Sequence, residues 1–281
     1  MNIDALKVRA AVLRQIRAFF DARGFVEVET PVRIAAPAPE PHIDCPMVAS
    51  EAKPTFLRAS PELQMKKLLA AGMDRMYQIG PCFREGERGS RHNPEFTMLE
   101  WYRANADYLD ILADMESLVS EILNGPKGRF RRITVREAYL QWAGWDPFSN
   151  WDADRFDVDM ATKIEPNLPK EPVFLMDYPP QAASLARLRN DVAERWELYV
   201  DGMELANAFS ELVDPEEQRR RFESAREERR RLGEVDYPID DDFLENLSRM
   251  PPSGGVALGI DRLVMLVCGV SDISAVRVVE S

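Results

Sequence analysis

The sequence predicts a mixed α+β domain built on an antiparallel sheet, and three observations carry that reading. A strand near Met76–Ile79 is answered by Glu95–Trp101 as its returning strand. Glu197–Val200 and Glu204–Leu212 face each other across Asp201-Gly202, a pair suited to a tight hairpin turn. Amphipathic helices lie between these hairpins.

In chain order, Asp4 to Arg23 places Leu6, Leu13, Ile16 and Phe20 on one helical face, with Gly24 suited to the C-terminal cap. Phe25 to Thr30 turns to alternation in its second half, as a half-buried strand does, and Pro31 closes it. Ala35 to Pro46, rich in Pro and Ala, reads as an extended loop. Ser60-Pro61-Glu62 opens a helix, with Ser60 as N-cap and Pro61 in the first turn, where its missing N–H costs nothing. Ala106 to Leu123 is another amphipathic helix. Pro166 to Pro180 is broken by prolines apart from a buried strand at Val173–Met176. Pro215 to Leu232 is a charged helix whose Glu216–Arg220, Glu217–Arg221 and Glu227–Arg231 pairs sit at supportive i,i+4 spacing. Its runs Arg219–Arg221 and Arg229–Arg231 are interleaved with glutamates, which reads as a solvated face rather than an RNA-binding patch.

Composition narrows the function. The chain has 281 residues, 45% of them hydrophobic, enough for a sizeable core. Lys and Arg number 36 against 48 Asp and Glu, a net charge of -12, which argues against a tRNA or DNA partner. Three dispersed cysteines form neither a disulfide framework nor a zinc spacing and fit a reducing cytoplasm. Two histidines, His42 and His92, leave no multi-histidine metal site. No apolar run approaches membrane-spanning length and the N-terminus carries no apolar signal sequence, so a cytoplasmic protein is expected.

Two stretches carry chemistry. Phe83 to Glu100 reads as strand, charged Gly-containing loop and second strand, which sets Arg84 near Phe96 across a hairpin. A guanidinium clamps phosphate bidentately and an aromatic ring stacks on a purine; a surface hairpin with an ordinary ion pair is the alternative. Gly254 to Met265 is a glycine-rich strand that lets a ligand approach the backbone, followed by a helix start bearing Arg262. It has no GK[ST] ending and no GxGxxG, so it is not a Walker or Rossmann loop.

Together these stretches resemble motifs 2 and 3 of the class II aminoacyl-tRNA synthetases, and Arg23-Gly24-Phe25 through Thr30-Pro31-Val32 resembles motif 1. Arg91 to Met98 and Glu204 to Leu212 resemble the lysyl branch. Motif 1 begins within the first helix, so no anticodon-binding domain is expected before it. The truncated core, with Glu95 to Arg103 and Gly255 to Gly259, resembles the elongation factor P lysine ligase family. The resemblance implies a single catalytic domain over 1–281, a class II core of six antiparallel strands flanked by helices, and a homodimer, since motif 1 contributes to the dimer interface. It implies activation of (R)-β-lysine or lysine by ATP with Mg2+, then transfer to a lysine side chain of elongation factor P. A lysyl adenylate-forming enzyme acting on tRNA or another carrier, and a non-catalytic regulatory paralog, are the alternatives.

Residue by residue, the resemblance sets Arg84 on the ATP α-phosphate, Phe96 on adenine and Arg262 opposite, the two arginines being catalytic. Glu85, Gly86, Glu87, His92, Asn93, Glu204, Leu205 and Gly259 join the ATP site, and Glu197 and Glu204 would hold magnesium through hard oxygen ligands. Glu62, with Ser60 and Pro61 shaping the loop of the substrate site, would receive the substrate's amino group. Glu100, Tyr102 and Glu211 would line the pocket for the distal amine, Asn207 would also bind the substrate, and Ala257 would line the amino-acid pocket. Two departures stand out. The motif 2 loop reads Arg84-Glu85-Gly86-Glu87 where the synthetases favour Arg-Asn-Glu, and Trp151 to Pro172 is abbreviated against the family.

Overall fold

The computed structural model describes residues 2–49, 53–123, 125 and 129–278. The chain divides into two compact units that interleave in sequence. The first comprises Met1–Asn105, Val213–Pro251 and Leu258–Ser281, the second Ala106–Leu212 and Pro252–Ala257.

The first unit opens with α1 (Ile3–Asp21), capped by the Asn2 side chain, which accepts the Ala5 N–H. Its buried face is Ala5, Val12, Ile16, Phe19 and Phe20; of the four residues expected on that face Ile16 and Phe20 are buried, while Leu6 and Leu13 are only partly so. The Phe20 ring stacks on Tyr77 at 4.6 Å and meets Trp101 edge-on at 5.2 Å. The strand expected over Phe25–Thr30 shrinks to β1 (Val26–Glu27). A three-stranded sheet follows, of β2 (Arg33–Ile34), β3 (Met47–Val48) and β4 (Thr55–Leu57), with β4 central. Helix α2 (Glu62–Ala70) starts one residue later than a Ser60 N-cap would give. Pro61 holds the cap position with no side-chain bond, yet the Ser60 hydroxyl still accepts the Glu62 N–H at 3.0 Å.

Two long strands, β5 (Arg75–Phe83) and β6 (Glu95–Ala104), form the predicted antiparallel hairpin in unbroken register from Arg75↔Arg103 to Phe83↔Glu95. β1 joins β5 in parallel, a non-local pairing that hairpin logic does not foresee.

In the second unit, α3 (Tyr108–Ile122) begins with a capping box between Asp107 and Asp110. The unit continues through β7 (Arg131–Thr134), α4 (Val135–Ala138), α5 (Ala153–Asp159), β8 (Val173–Tyr178), β9 (Leu188–Arg189), β10 (Val192–Val200) and β11 (Met203–Ser210). The stretch before β8 folds closely: the Phe156 ring stacks on Tyr139 at 4.8 Å, and Ile164 is buried in the same cluster. β10 pairs antiparallel with β8 and β11, while β7 adds to β8 in parallel. Asp201 and Gly202 both have positive φ, 50° and 67°, the type I′ turn that matches strand twist.

The chain returns to the first unit with α6 (Pro215–Leu232), whose N-cap Asp214 and left-handed Gly233 bound it where the sequence predicts. Glu217–Arg221 forms at 2.9 Å, while Arg220, Arg230 and Arg231 pair at i,i+3 with Glu217, Glu227 and Glu228. The solvated-face reading fails at Arg229, which is wholly buried. It donates to the carbonyls of Glu40, Ile43 and Val235, pairs with Asp44, and lies 4.2 Å over the Tyr237 ring. Helix α7 (Asp241–Leu247) follows. β12 (Ser253–Gly259) passes from the second unit's residues into the first's, and α8 (Ile260–Cys268) continues from it. Gly254 is required where it stands, because a Cβ there would lie 2.7 Å from the Asp107 carbonyl.

Candidate active site

The predicted site residues fall into two sets, one per unit. In the first unit the β5–β6 hairpin places Cys82 opposite Phe96, and the Arg84 N–H donates to the Pro94 carbonyl at 2.8 Å just beyond. That register puts the Arg84 guanidinium 5.2 Å from the Phe96 ring centroid. Its Nε is buried without a hydrogen-bond partner, and its contact with Glu87 is 3.5 Å long. Such a guanidinium has donors to spare for an anion. In the loop between the strands, Gly86 takes positive φ, and the Glu85 N–H donates to the Asp44 carbonyl at 2.7 Å.

His92 closes that loop against Gly89 and lies 2.6 Å from an Arg262 nitrogen. Partial desolvation, and behind it the Arg262 charge, hold the imidazole below its ordinary value, so the ring is neutral at pH 7 and accepts from Arg262. Asn93 donates to the Glu95 carbonyl at 2.6 Å. Arg262 sits in the first turn of α8, three residues past Gly259, the helix's cap position. Its neighbour Asp261 is buried and accepts from Arg9 of α1 at 2.5 Å, Arg277 at 2.8 Å and the Thr97 N–H at 2.7 Å.

A second cluster in the same unit gathers Ser60, Glu62, Glu100 and Tyr102. Glu100 is buried and accepts from Ser60 at 2.8 Å and from Tyr102 at 2.6 Å. Pro61, also buried, turns the chain so that Glu62 starts α2 beside Ser60. Glu62 is ion-paired with Lys66 at 2.6 Å. Burial, reinforced by the Glu62 charge, pushes the Glu100 carboxyl up to about 8. The cluster is an acidic cradle in which burial favours a proton on Glu100.

That proton has a consequence for stability. A carboxyl with a raised folded-state pKa contributes stability that is full below its ordinary value near 4.5 and is lost as pH rises to about 8. The ligand-free protein's melting temperature is therefore expected to fall between pH 5 and 8 more steeply than that of Glu100→Gln. Parallel curves for the two proteins would contradict this.

In the second unit, the β10–β11 pairing sets Glu197 opposite Asn207 and Tyr199 opposite Glu204, with a bulge between Leu198 and Tyr199. The four side chains share one face of the hairpin. Glu197 accepts from Arg195 at 2.5 Å and from Tyr199 at 2.8 Å. Arg195 also donates to Asn207 and to the Ala182 carbonyl, and lies 4.3 Å over Tyr178. Leu205 and Glu211 are buried, Glu211 with its N–H on the Ser253 carbonyl at 2.8 Å. Ala257 is half-buried on β12.

Among the described residues no group of three or more His, Cys, Asp or Glu gathers as a metal cage. Magnesium needs none: it takes one or two carboxylates and completes its shell with water and substrate phosphates, a demand that hard donors Glu197 and Glu204 fit.

Sequence reasoning missed four side chains that hold these sets in place: Arg195, Lys66, Asp261 and Arg58. Arg195 lies two residues before Glu197 on the same strand face, and Lys66 lies one helical turn after Glu62, so both had a local signal. Buried Arg58, which donates to the Thr30 hydroxyl at 2.7 Å and to the Pro81 carbonyl at 3.2 Å, had none.

The family tRNA synthetases class II (D, K and N) matches residues 2–279. The chain is 38% identical over 312 aligned positions to the elongation factor P--(R)-beta-lysine ligase of Proteus mirabilis (strain HI4320), covering 98% of this chain and 94% of that one. It is 36% identical over 308 positions to the enzyme of the same name from Yersinia enterocolitica serotype O:8 / biotype 1B (strain NCTC 13174 / 8081), with the same coverage. Both alignments are longer than the 281-residue chain, so the relatives carry residues that it lacks. No described helix is long and apolar enough to cross a membrane. With nearly its whole length matched, the chain belongs to the class II tRNA synthetase family of the D, K and N type.

Proposed function

We propose that this protein uses ATP and Mg2+ to activate (R)-β-lysine, or lysine, as an aminoacyl-adenylate and passes it to a lysine side chain of elongation factor P. The observation that carries the reading is the pairing, within one unit, of a spare arginine against an aromatic ring and an acidic cradle built for an amine.

The substrate carboxylate is already ionised at neutral pH, with a reference pKa of about 3.5, and attacks the α-phosphorus without a general base. Arg84 binds that phosphate and stabilises the charge that builds on it, while Phe96 stacks on the adenine. Arg262 leaves its neutral His92 partner to meet the nucleotide from the other side. Glu62 receives the substrate's nearer amino group and Glu100, with Tyr102, the distal one; an amine buried without such partners costs several kcal/mol. By the family resemblance Glu211 and Asn207 would contribute to substrate binding, and Glu197 and Glu204 would hold magnesium, which supplies positive charge to phosphates when bound. Arg195 and Tyr199 fix the orientation of Glu197.

The test is ATP–pyrophosphate exchange with α-lysine and both β-lysine enantiomers, followed by presenting labelled adenylate to elongation factor P and to tRNA. Exchange with a lysine isomer and label on elongation factor P is the expected result. Label on tRNA alone, or no exchange with any isomer, would overturn it.

Ala257 bears on which isomer is used. Its methyl group stands where the synthetases keep glycine, and one carbon shifts selectivity by about 1–3 kcal/mol, roughly 10- to 200-fold. Ala257→Gly is expected to move the kcat/KM ratio toward α-lysine by at least tenfold. An unchanged ratio would rule the methyl out as a selector.

A further inference from the structure

The amine cradle contains a cation of its own. Lys66 is 1% exposed, and its ammonium lies 2.6 Å from Glu62. The Glu62 N–H donates to the Ser60 hydroxyl at 3.0 Å, and that hydroxyl in turn donates to Glu100 at 2.8 Å. One turn of α2 and one residue before it thus link a buried lysine, a buried acid and the carboxylate between them. Lys66 itself, Tyr102 on the same strand as Glu100 and Cys82 on β5 also act on Glu100 among the described residues. A lysine interior to a helix face gains nothing from burial by itself, since desolvating an ammonium is costly. Its place is explained if the cradle needs one fixed positive charge.

We propose that Lys66 is a positioning residue which neutralises and aims Glu62, so that the empty cradle carries no net charge and the substrate's distal ammonium enters by taking the place of a single proton on Glu100. The inference rests on the functional reading above, in which Glu62 and Glu100 receive the two amines. For the distal amine the exchange balances, one positive charge leaving as a proton and one arriving as the ammonium. Glu100 gives its proton to solvent, the resulting carboxylate pairs with the ammonium, and the Glu62–Lys66 pair keeps its charge throughout. Without Lys66, the two acids would lose the ammonium that pairs with Glu62, and their mutual repulsion would favour an additional bound proton until the amines arrived.

Proton release is counted by titration calorimetry of the full-length protein with α-lysine and (R)-β-lysine in buffers of different ionisation enthalpy. About one proton per diamine is expected at pH 7, falling toward zero at pH 9. Lys66→Met is expected to release more protons than wild type at pH 7 and to raise KM for the diamine at least tenfold, with kcat changed less. Lys66→Arg, which keeps the charge, is expected to restore release of one proton and most of the affinity. Should Lys66→Met fail to fold, judged by its melting curve, the wild-type count and Lys66→Arg still decide. Binding with no proton released, or a Lys66→Met count equal to wild type, would overturn the inference and leave the function standing. No binding of any diamine to the wild-type protein would overturn both.

Discussion

Arg84→Ala is expected to lower lysine-dependent ATP–pyrophosphate exchange by about a hundred- to a thousand-fold, the loss that follows removal of one donor aimed at charge developing in a transition state. The effect should fall on kcat more than on the KM for ATP, because a donor that strengthens only as charge builds contributes little to ground-state binding. Melting should scarcely change, since the guanidinium's Nε has no partner to lose and its contact with Glu87 is long. Arg84→Lys should recover only a minor part of the rate. An ammonium restores the charge but not the planar fork that grips two phosphate oxygens. Exchange within a few-fold of wild type in Arg84→Ala would remove this arginine from the chemistry.

The second large effect concerns stability. Arg229→Ala is expected to destabilise the protein by about 3–5 kcal/mol in chemical denaturation, the cost of breaking a buried ion pair from one side. Three carbonyls, the Asp44 carboxylate and the face of Tyr237 would each lose a partner. Arg230→Ala, whose side chain is half-exposed on the same helix, serves as the comparison and should lie within about 0.5 kcal/mol of wild type. Because Arg229 secures the segment that carries Asp44, and the Asp44 carbonyl holds the Glu85 N–H, the variant should also lose affinity for ATP before it unfolds. Equal stability of the two variants would return Arg229 to the solvated face that its sequence pattern implies.

These two arginines mark what a sequence can disclose. Arg84 and Phe96 were legible because an antiparallel hairpin is a local object: once its strands are recognised, register follows from the chain between them. The Asp201-Gly202 turn and the bounds of α6 were legible for the same reason, through φ preferences and caps. Arg229 was not. Its partners Asp44 and Glu40 lie more than 180 residues away, and nothing in a run of alternating Arg and Glu distinguishes the one guanidinium that turns inward. The parallel pairings of β1 with β5 and β7 with β8 escaped notice on similar grounds, since short edge strands carry little alternation of their own. The chemistry of the cradle was visible only through family resemblance. Its charge state was not, because it depends on how deeply Glu100 and Lys66 are buried.

The contacts of Asp261 bear on when the enzyme becomes competent during synthesis. A single carboxylate beside Arg262 gathers Arg9 near the start of the chain and Arg277 near its end. Contacts so distant in sequence form late, after the entropy of closing a very long loop has been overcome. The nascent polypeptide can therefore build most of its hairpins while still on the ribosome, but the turn that aims Arg262 is finished only once residue 277 has emerged.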